Sequence, residues 1–245
     1  PLESQIDSLL KTDDLIQNLE RLIQKKKKIK QGTMQELLTG KKRLPGFKGE
    51  WVNYKIKDLF SIFKGQGLSK EKISENGKFK CILYGELFTQ YKEIINKIIS
   101  KTNFNEGIKS KYGDILLPGS TTTTGIDLVK ASSLLISGVF LGGDINIFRP
   151  QSDLINSVFV SYYFNSVKKI EIAKMTKGIT IHHLQGNSLK EVEISLPDIE
   201  EQNKISEVLM NMNSEIELLE TKLNKSKLLK QGLMQELLTG KTRLV

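Results

Sequence analysis

Fifteen residues occur almost identically twice, as KQGTMQELLTGKKRL at 30–44 and KQGLMQELLTGKTRL at 230–244. Only Thr33/Leu233 and Lys42/Thr242 differ, at an offset of 200 throughout. A match of this length marks a duplicated unit, so both copies must adopt the same local structure. Upstream of the first copy, Gln5 to Leu38 contains no proline and Gly32 as its only glycine. Apolar residues recur at Ile6, Leu9, Ile16, Leu19 and Ile23, and in the second copy at Ile205, Val208, Met212, Ile216, Leu219 and Leu223. Gaps of three, four or seven with polar residues between them form the seam of a coiled coil. Each copy is predicted to form a helix of about 35–40 residues, on the order of 55 Å at 1.5 Å per residue. A lone helix cannot bury its own stripe, so the two copies are expected to pair antiparallel, with the intervening segment inserted between them.

Thr39-Gly40-Lys41 and Thr239-Gly240-Lys241 place a glycine just past the last apolar turn, a helix-stop signal. Gly32 and Gly232 lie inside the helices, where glycine costs roughly 1 kcal/mol relative to alanine. A close helix crossing is the favoured explanation; a kink or a contact site for another protein is the other. The Lys25–Lys28 run reads as a solvated helix face ahead of a nucleic-acid contact.

From Leu44-Pro45-Gly46-Phe47 onward the pattern changes. Short β-rich runs appear at Trp51–Ile56, Cys81–Tyr84, Asp114–Leu117, Leu134–Ile136, Ile145–Phe148 and Val192–Leu196, with helical stretches at Leu154–Ser166 and Lys168–Met175. This predicts an α+β chain in which a mixed α/β domain, 45–197, is inserted between two long helices, 1–44 and 198–245, that form an antiparallel coiled coil. The sequence LPDIEEQNKI provides the start of the second helix. No apolar run is long enough for a membrane span, and the single cysteine, Cys81, excludes an internal disulfide. A cytoplasmic location is expected.

The middle segment carries 20 Lys/Arg against 14 Asp/Glu, whereas 198–245 carries 7 against 8. The surplus suits a folded surface that neutralises a handful of phosphates. Signatures of catalysis are absent. Gly65-Gln66-Gly67-Leu68-Ser69-Lys70 lacks the spacing of a phosphate loop. Gly119 to Gly125 offers hydroxyls but no neighbouring base in sequence. His182 and His183 are adjacent, so on a strand they point to opposite faces and cannot easily share a metal. Pro197-Asp198, Glu201 and Lys204 miss the nuclease spacing, because the lysine follows the second acid by three residues.

LPDIEEQNKISEVL, KQGLMQELLTGKTRL, WVNYKIKDLFSIFKGQGLSK, YGELFT, KYGDILLPGSTTT, GGDINIFRP and TKGITIHHLQGNSLKEVEISLP resemble segments of the specificity subunit of Type I restriction–modification enzymes. The resemblance covers essentially the whole chain. It implies a target recognition domain that reads part of a split duplex DNA sequence and a coiled coil that sets the gap. It also implies no catalysis and no cofactor on this chain. S-adenosylmethionine, ATP and Mg are expected on partner subunits: two adenine-methylating modification subunits, and restriction subunits. The family typically has two recognition domains, whereas this chain has one. Pro1 to Gln5 resembles the helix start at Pro197–Gln202, as expected either of the C-terminal part of a longer subunit or, the favoured reading, of a half or truncated form. Such a half could homodimerise through its helices and read a palindromic split site.

Base edges are read by polar side chains and phosphates by cations, hydroxyls and backbone N–H groups. The candidate DNA contacts are Gln66, Ser69 and Lys70; Tyr84 and Glu86; Ser120, Thr121, Thr122 and Thr123; and Lys177, Thr180, His182 and His183. Gly142-Gly143-Asp144 is expected as a tight turn beside the site. Gly32, Met34 and Leu37, with Gly232, Met234 and Leu237, are the candidate docking residues for the partner subunits. The competing reading is a coiled-coil scaffold whose central domain binds protein rather than DNA.

Overall fold

A computed structural model of the chain describes residues 2–238, with side chains from 7 to 236. Thr239, Gly240 and Lys241, and the side chains of Ile6 and Leu237, therefore lie outside the described residues. Helices Leu2–Leu37 and Ile199–Leu238, of 36 and 40 residues, bracket the chain. Two compact units result, one formed by 1–33 with 207–245 and the other by 34–206.

In the first unit, Thr12, Ile16, Leu19 and Ile23 are buried on one helix, and Ile216 and Ser226 on the other. These positions keep the alternating three- and four-residue spacing of a knobs-into-holes seam. The pairing is antiparallel. Lys230 meets Asp13 at 2.5 Å, Lys227 meets Glu20 at 2.7 Å, and Lys27 meets Glu220 at 2.6 Å, so rising numbers on one helix face falling numbers on the other. The two polar seam residues are internally satisfied. Thr12 Oγ1 donates to the Ser8 carbonyl at 2.8 Å, and Ser226 Oγ to the Lys222 carbonyl at 3.0 Å. Within the Lys25–Lys28 run, Lys26 and Lys27 bind Glu215 and Glu220 across the helix pair, so half of the run is an interhelical clamp.

The expected close crossing at Gly32 and Gly232 is not found. A Cβ added at either would meet nothing within 4 Å. Here glycine lowers helix propensity with no packing return inside the chain.

In the second unit, a five-stranded sheet has the order Phe60–Lys64, Ile145–Pro150, Asp114–Pro118, Ser132–Leu134, Ile94–Ile95. All its pairs are antiparallel except the last. Strand Asp114–Pro118 is buried throughout and strand Ile145–Pro150 over its first four residues, both mainly apolar but with Asp114 and Asn146 among the buried positions. Helix Ser157–Ser166 supplies Phe164, whose ring meets Phe148 edge-on at 6.1 Å. Asn156 starts that helix, its Oδ1 accepting from the Phe159 N–H at 2.9 Å, which is why it begins after the predicted Leu154. A second sheet runs Lys101–Thr102, Phe79–Ile82, Phe140–Leu141, Ile108–Lys109. Cys81 is buried within it, and burial pushes its thiol up to about 11.

Strand Val52–Lys55 pairs antiparallel with Glu193–Leu196, bringing the start and end of the inserted domain together. The predicted strand through Ile56 is shorter because Ile56 opens a helical turn, Ile56–Leu59. Gly40, at φ 69°, ends the first helix as its sequence predicts. Asp198 caps the last helix, accepting from the Glu201 N–H at 2.8 Å. No described helix is long and apolar enough to cross a membrane.

Candidate nucleic-acid interface

The four sequence-predicted clusters lie far apart in the chain, yet three of them leave the sheets around one short segment, 141–144, and the fourth pairs with one of those three. Strand Ile145–Pro150 has Lys64 opposite Asn146 and Pro118 opposite Ile145. The Gly65–Lys70 loop and the Gly119–Thr124 loop therefore depart from the same end of the sheet. Strand Phe79–Ile82 runs parallel to Phe140–Leu141, so Tyr84 and Glu86 depart beside it. Backbone hydrogen bonds fix the junction. The Gln66 N–H donates to the Leu141 carbonyl at 3.1 Å, the Gly142 N–H to Ile82 at 2.9 Å, and the Gly119 N–H to Asp144 at 2.6 Å. Gly65 has to be glycine here, since a Cβ would stand 1.9 Å from the Gly142 carbonyl oxygen.

The fourth cluster is attached by strand pairing. Ser120–Thr121 pairs antiparallel with His182–His183, with His182 opposite Thr121 and His183 opposite Ser120. Asn146, buried in the central strand, holds the continuation of that segment. Its Nδ2 donates to the Leu184 carbonyl at 2.8 Å, and its Oδ1 accepts from the Gly186 N–H at 2.9 Å. Lys177 and His183 exchange two backbone hydrogen bonds of 2.9 and 2.7 Å, which closes a hairpin.

The side chains divide into those that build the surface and those that face outward. Glu86 is an internal staple, accepting from the Leu83 N–H at 2.7 Å and from the Ser100 hydroxyl. Ser120 donates to Asp144, which also receives Lys64 at 3.2 Å. Thr121 and Thr123 share a hydroxyl hydrogen bond of 2.9 Å. The Ser69 hydroxyl bonds the Glu71 carboxylate and holds it below the usual carboxylate range. Asp127 is lowered likewise by Thr124 and Thr123. Gln66, Lys70, Tyr84, Thr122, Lys177, Thr180 and His183 are exposed, and His182 is half-buried. Glu71, Glu86, Asp127 and Asp144 are thus engaged by hydroxyls, backbone N–H groups or Lys64, while Lys177 has no acidic side-chain partner among the described residues.

The register adds something the sequence did not reveal, two imidazoles across from two hydroxyls with Asp144 nearby. A serine nucleophile needs the imidazole between hydroxyl and carboxylate. Here the Ser120 proton goes directly to Asp144, the wrong connectivity for a relay. No group of three metal-ligating side chains occurs among the described residues. What the surface can do is present amide, hydroxyl, phenol, imidazole and ammonium groups to a polyanion. Asn146 was missed in the sequence, and its polar amide inside the apolar run ILE-rich strand 145–148 was the signal. On the helices, Gly32 and Gly232 are exposed, Met34 is half-buried and Leu37 buried, and Met234 is exposed.

Comparison with known proteins places this arrangement. The chain is 26% identical over 263 residues to the Type I restriction enzyme MjaVIII specificity subunit of Methanocaldococcus jannaschii, covering 99% of this chain and 61% of the relative. It thus spans about three-fifths of that curated relative's length. The fold matches the Type-I restriction-modification system S subunit from M. genitalium with a TM-score of 0.65 at 15% identity, over 96% of this chain and 59% of that one. The HsdS subunit from Thermoanaerobacter tengcongensis matches with a TM-score of 0.61 at 15% identity, over 96% and 56%. Residues 48–227, most of the chain, match the family described as Type I restriction modification DNA specificity domain, and the chain belongs to that family.

Proposed function

We propose that the 34–206 unit reads one part of a split duplex DNA sequence and performs no chemistry itself. The observation that carries this is the convergence of three polar loop clusters on 141–144 with the fourth paired to one of them, and with Asp144 and Glu86 internally engaged. Exposed Gln66, Tyr84, Thr180 and His183 are the candidate base readers. Lys70, Lys177 and the Thr121–Thr123 hydroxyls are the candidate phosphate contacts. Ser69, Ser120 and Glu86 act by shaping the loops that carry these groups.

Two nearly identical helix ends on an antiparallel pair support equivalent docking of two modification subunits. Restriction subunits would join through that assembly, and the partners would supply S-adenosylmethionine, ATP and Mg. Two copies paired through their helices would present two such units and read a palindromic split site. Exposed Leu218, Leu228 and Leu229 on the last helix are apolar surface suited to such protein contacts.

Binding to duplex DNA should fall steeply with salt, since each neutralised phosphate adds about 0.9 to the log–log slope. Lys177→Ala should reduce that slope by roughly one phosphate's worth and weaken all sequences alike. Titration of the purified chain and variant across salt concentrations checks this. Salt-independent binding, or none, would favour the protein-binding scaffold.

A further inference from the structure

The hairpin closed by Lys177 and His183 carries an unexpected residue at its tip. Ile179 is 95% exposed, and Ile181 beside it is 45% exposed. An isoleucine thrust into water on a turn has no role in this chain's own packing. Its presentation is firmly built. Gly178 takes φ 115°, and a Cβ there would stand 1.9 Å from the Ile181 carbonyl oxygen. On the other side, His182 pairs with Thr121, so the tip is anchored to the Ser120–Thr124 loop. The tip is therefore continuous with the candidate DNA surface.

Its surroundings select among occupants. Thr180, Thr121 and Thr122 supply hydroxyls and Lys177 an ammonium group, while Asp144 is paired with Lys64 and Ser120, and Asp127 accepts from Thr124. An apolar point on a hairpin that also carries hydroxyls and an ammonium group fits a polyanion with apolar ground between its charges. A duplex groove is such a surface, with thymine methyls and base-step faces lying between rows of phosphates. Isoleucine is stiff at χ1, so little rotamer freedom is lost when it enters.

Resting on the DNA-reading function above, we propose that Ile179 enters a groove of the bound duplex and makes an apolar contact with the bases. It is the one reader in the site whose contribution does not depend on charge or hydrogen bonding.

The test uses the purified chain, Ile179→Ala and Ile179→Leu, with a duplex selected from a randomised pool by the parent chain. Ile179→Ala should bind roughly tenfold more weakly or worse at every salt concentration, with the salt slope unchanged. Ile179→Leu should retain most of the affinity, and thermal unfolding of both should match the parent. Uracil-for-thymine and 2-aminopurine duplexes distinguish methyl contact from unstacking, and a response of either kind that is lost in Ile179→Ala supports the inference. Parent binding matched by Ile179→Ala overturns this inference alone. So does an Ile179→Ala variant that keeps its DNA affinity but loses association with a modification subunit. Failure of the parent to bind any duplex overturns the DNA-reading function and this inference together.

Discussion

Arg43→Ala is expected to destabilise the 34–206 unit by about 3–5 kcal/mol, the usual cost of stranding a buried charge. Glu201 is fully buried, and Arg43 engages it with a two-pronged pair, Nε to Oε1 at 2.6 Å and Nη2 to Oε2 at 2.5 Å. The remaining guanidinium donor, Nη1, reaches the Gly49 carbonyl at 2.8 Å, and the plane lies 5.9 Å from the centre of the Trp51 ring. Removing the guanidinium leaves a buried carboxylate without its cation. Arg43→Lys should recover only part of the loss, because an ammonium cannot reproduce the fork. A double variant, Arg43→Met with Glu201→Leu, should be much closer to the parent, since no buried charge remains. Denaturant unfolding checks all three, and a loss under 1 kcal/mol for Arg43→Ala would contradict the assignment. The pair joins the segment just after the first helix to the first turn of the last, so it ties together the two ends of the inserted domain.

Gly178→Ala is expected to abolish most DNA binding while leaving global stability nearly intact. The residue combines a left-handed backbone with a carbonyl oxygen standing where a Cβ would go. Strain of this kind costs about 1–3 kcal/mol and must be relieved locally by opening the hairpin. Opening it displaces Lys177, Ile179 and Thr180 together and loosens the His182–Thr121 pairing. Several contacts are lost at once, so affinity should fall at least tenfold and by more than for Lys177→Ala. Thermal unfolding separates the effects: a binding loss matched by a collapse in melting temperature would mean that the hairpin supports the fold rather than the interface.

The long helices were legible because a heptad stripe sustained over many turns has no other stable solution. The interhelical ion pairs then fix a direction that the stripe alone leaves to economy. The buried strands at 114–118 and 145–150 were legible as apolar runs bounded by Gly and Pro. Two-residue strands such as Ser120–Thr121 and His182–His183 were not, because two residues carry no periodicity and their partner lies some sixty positions away. That pairing is what unites two of the candidate clusters, so their convergence became visible only in the fold. Gly32 and Gly232 misled for a related reason. A glycine signals a requirement on the backbone or its neighbourhood, but sequence does not say whether that neighbour belongs to the same chain.

The most direct test of the account combines the chain with a modification subunit and S-adenosylmethionine, and maps the methylated adenines on DNA. The account predicts methylation confined to one split palindromic sequence, which changes when residues 34–206 are exchanged for another family member's. Methylation distributed identically with and without the chain, or unchanged by the exchange, would contradict it.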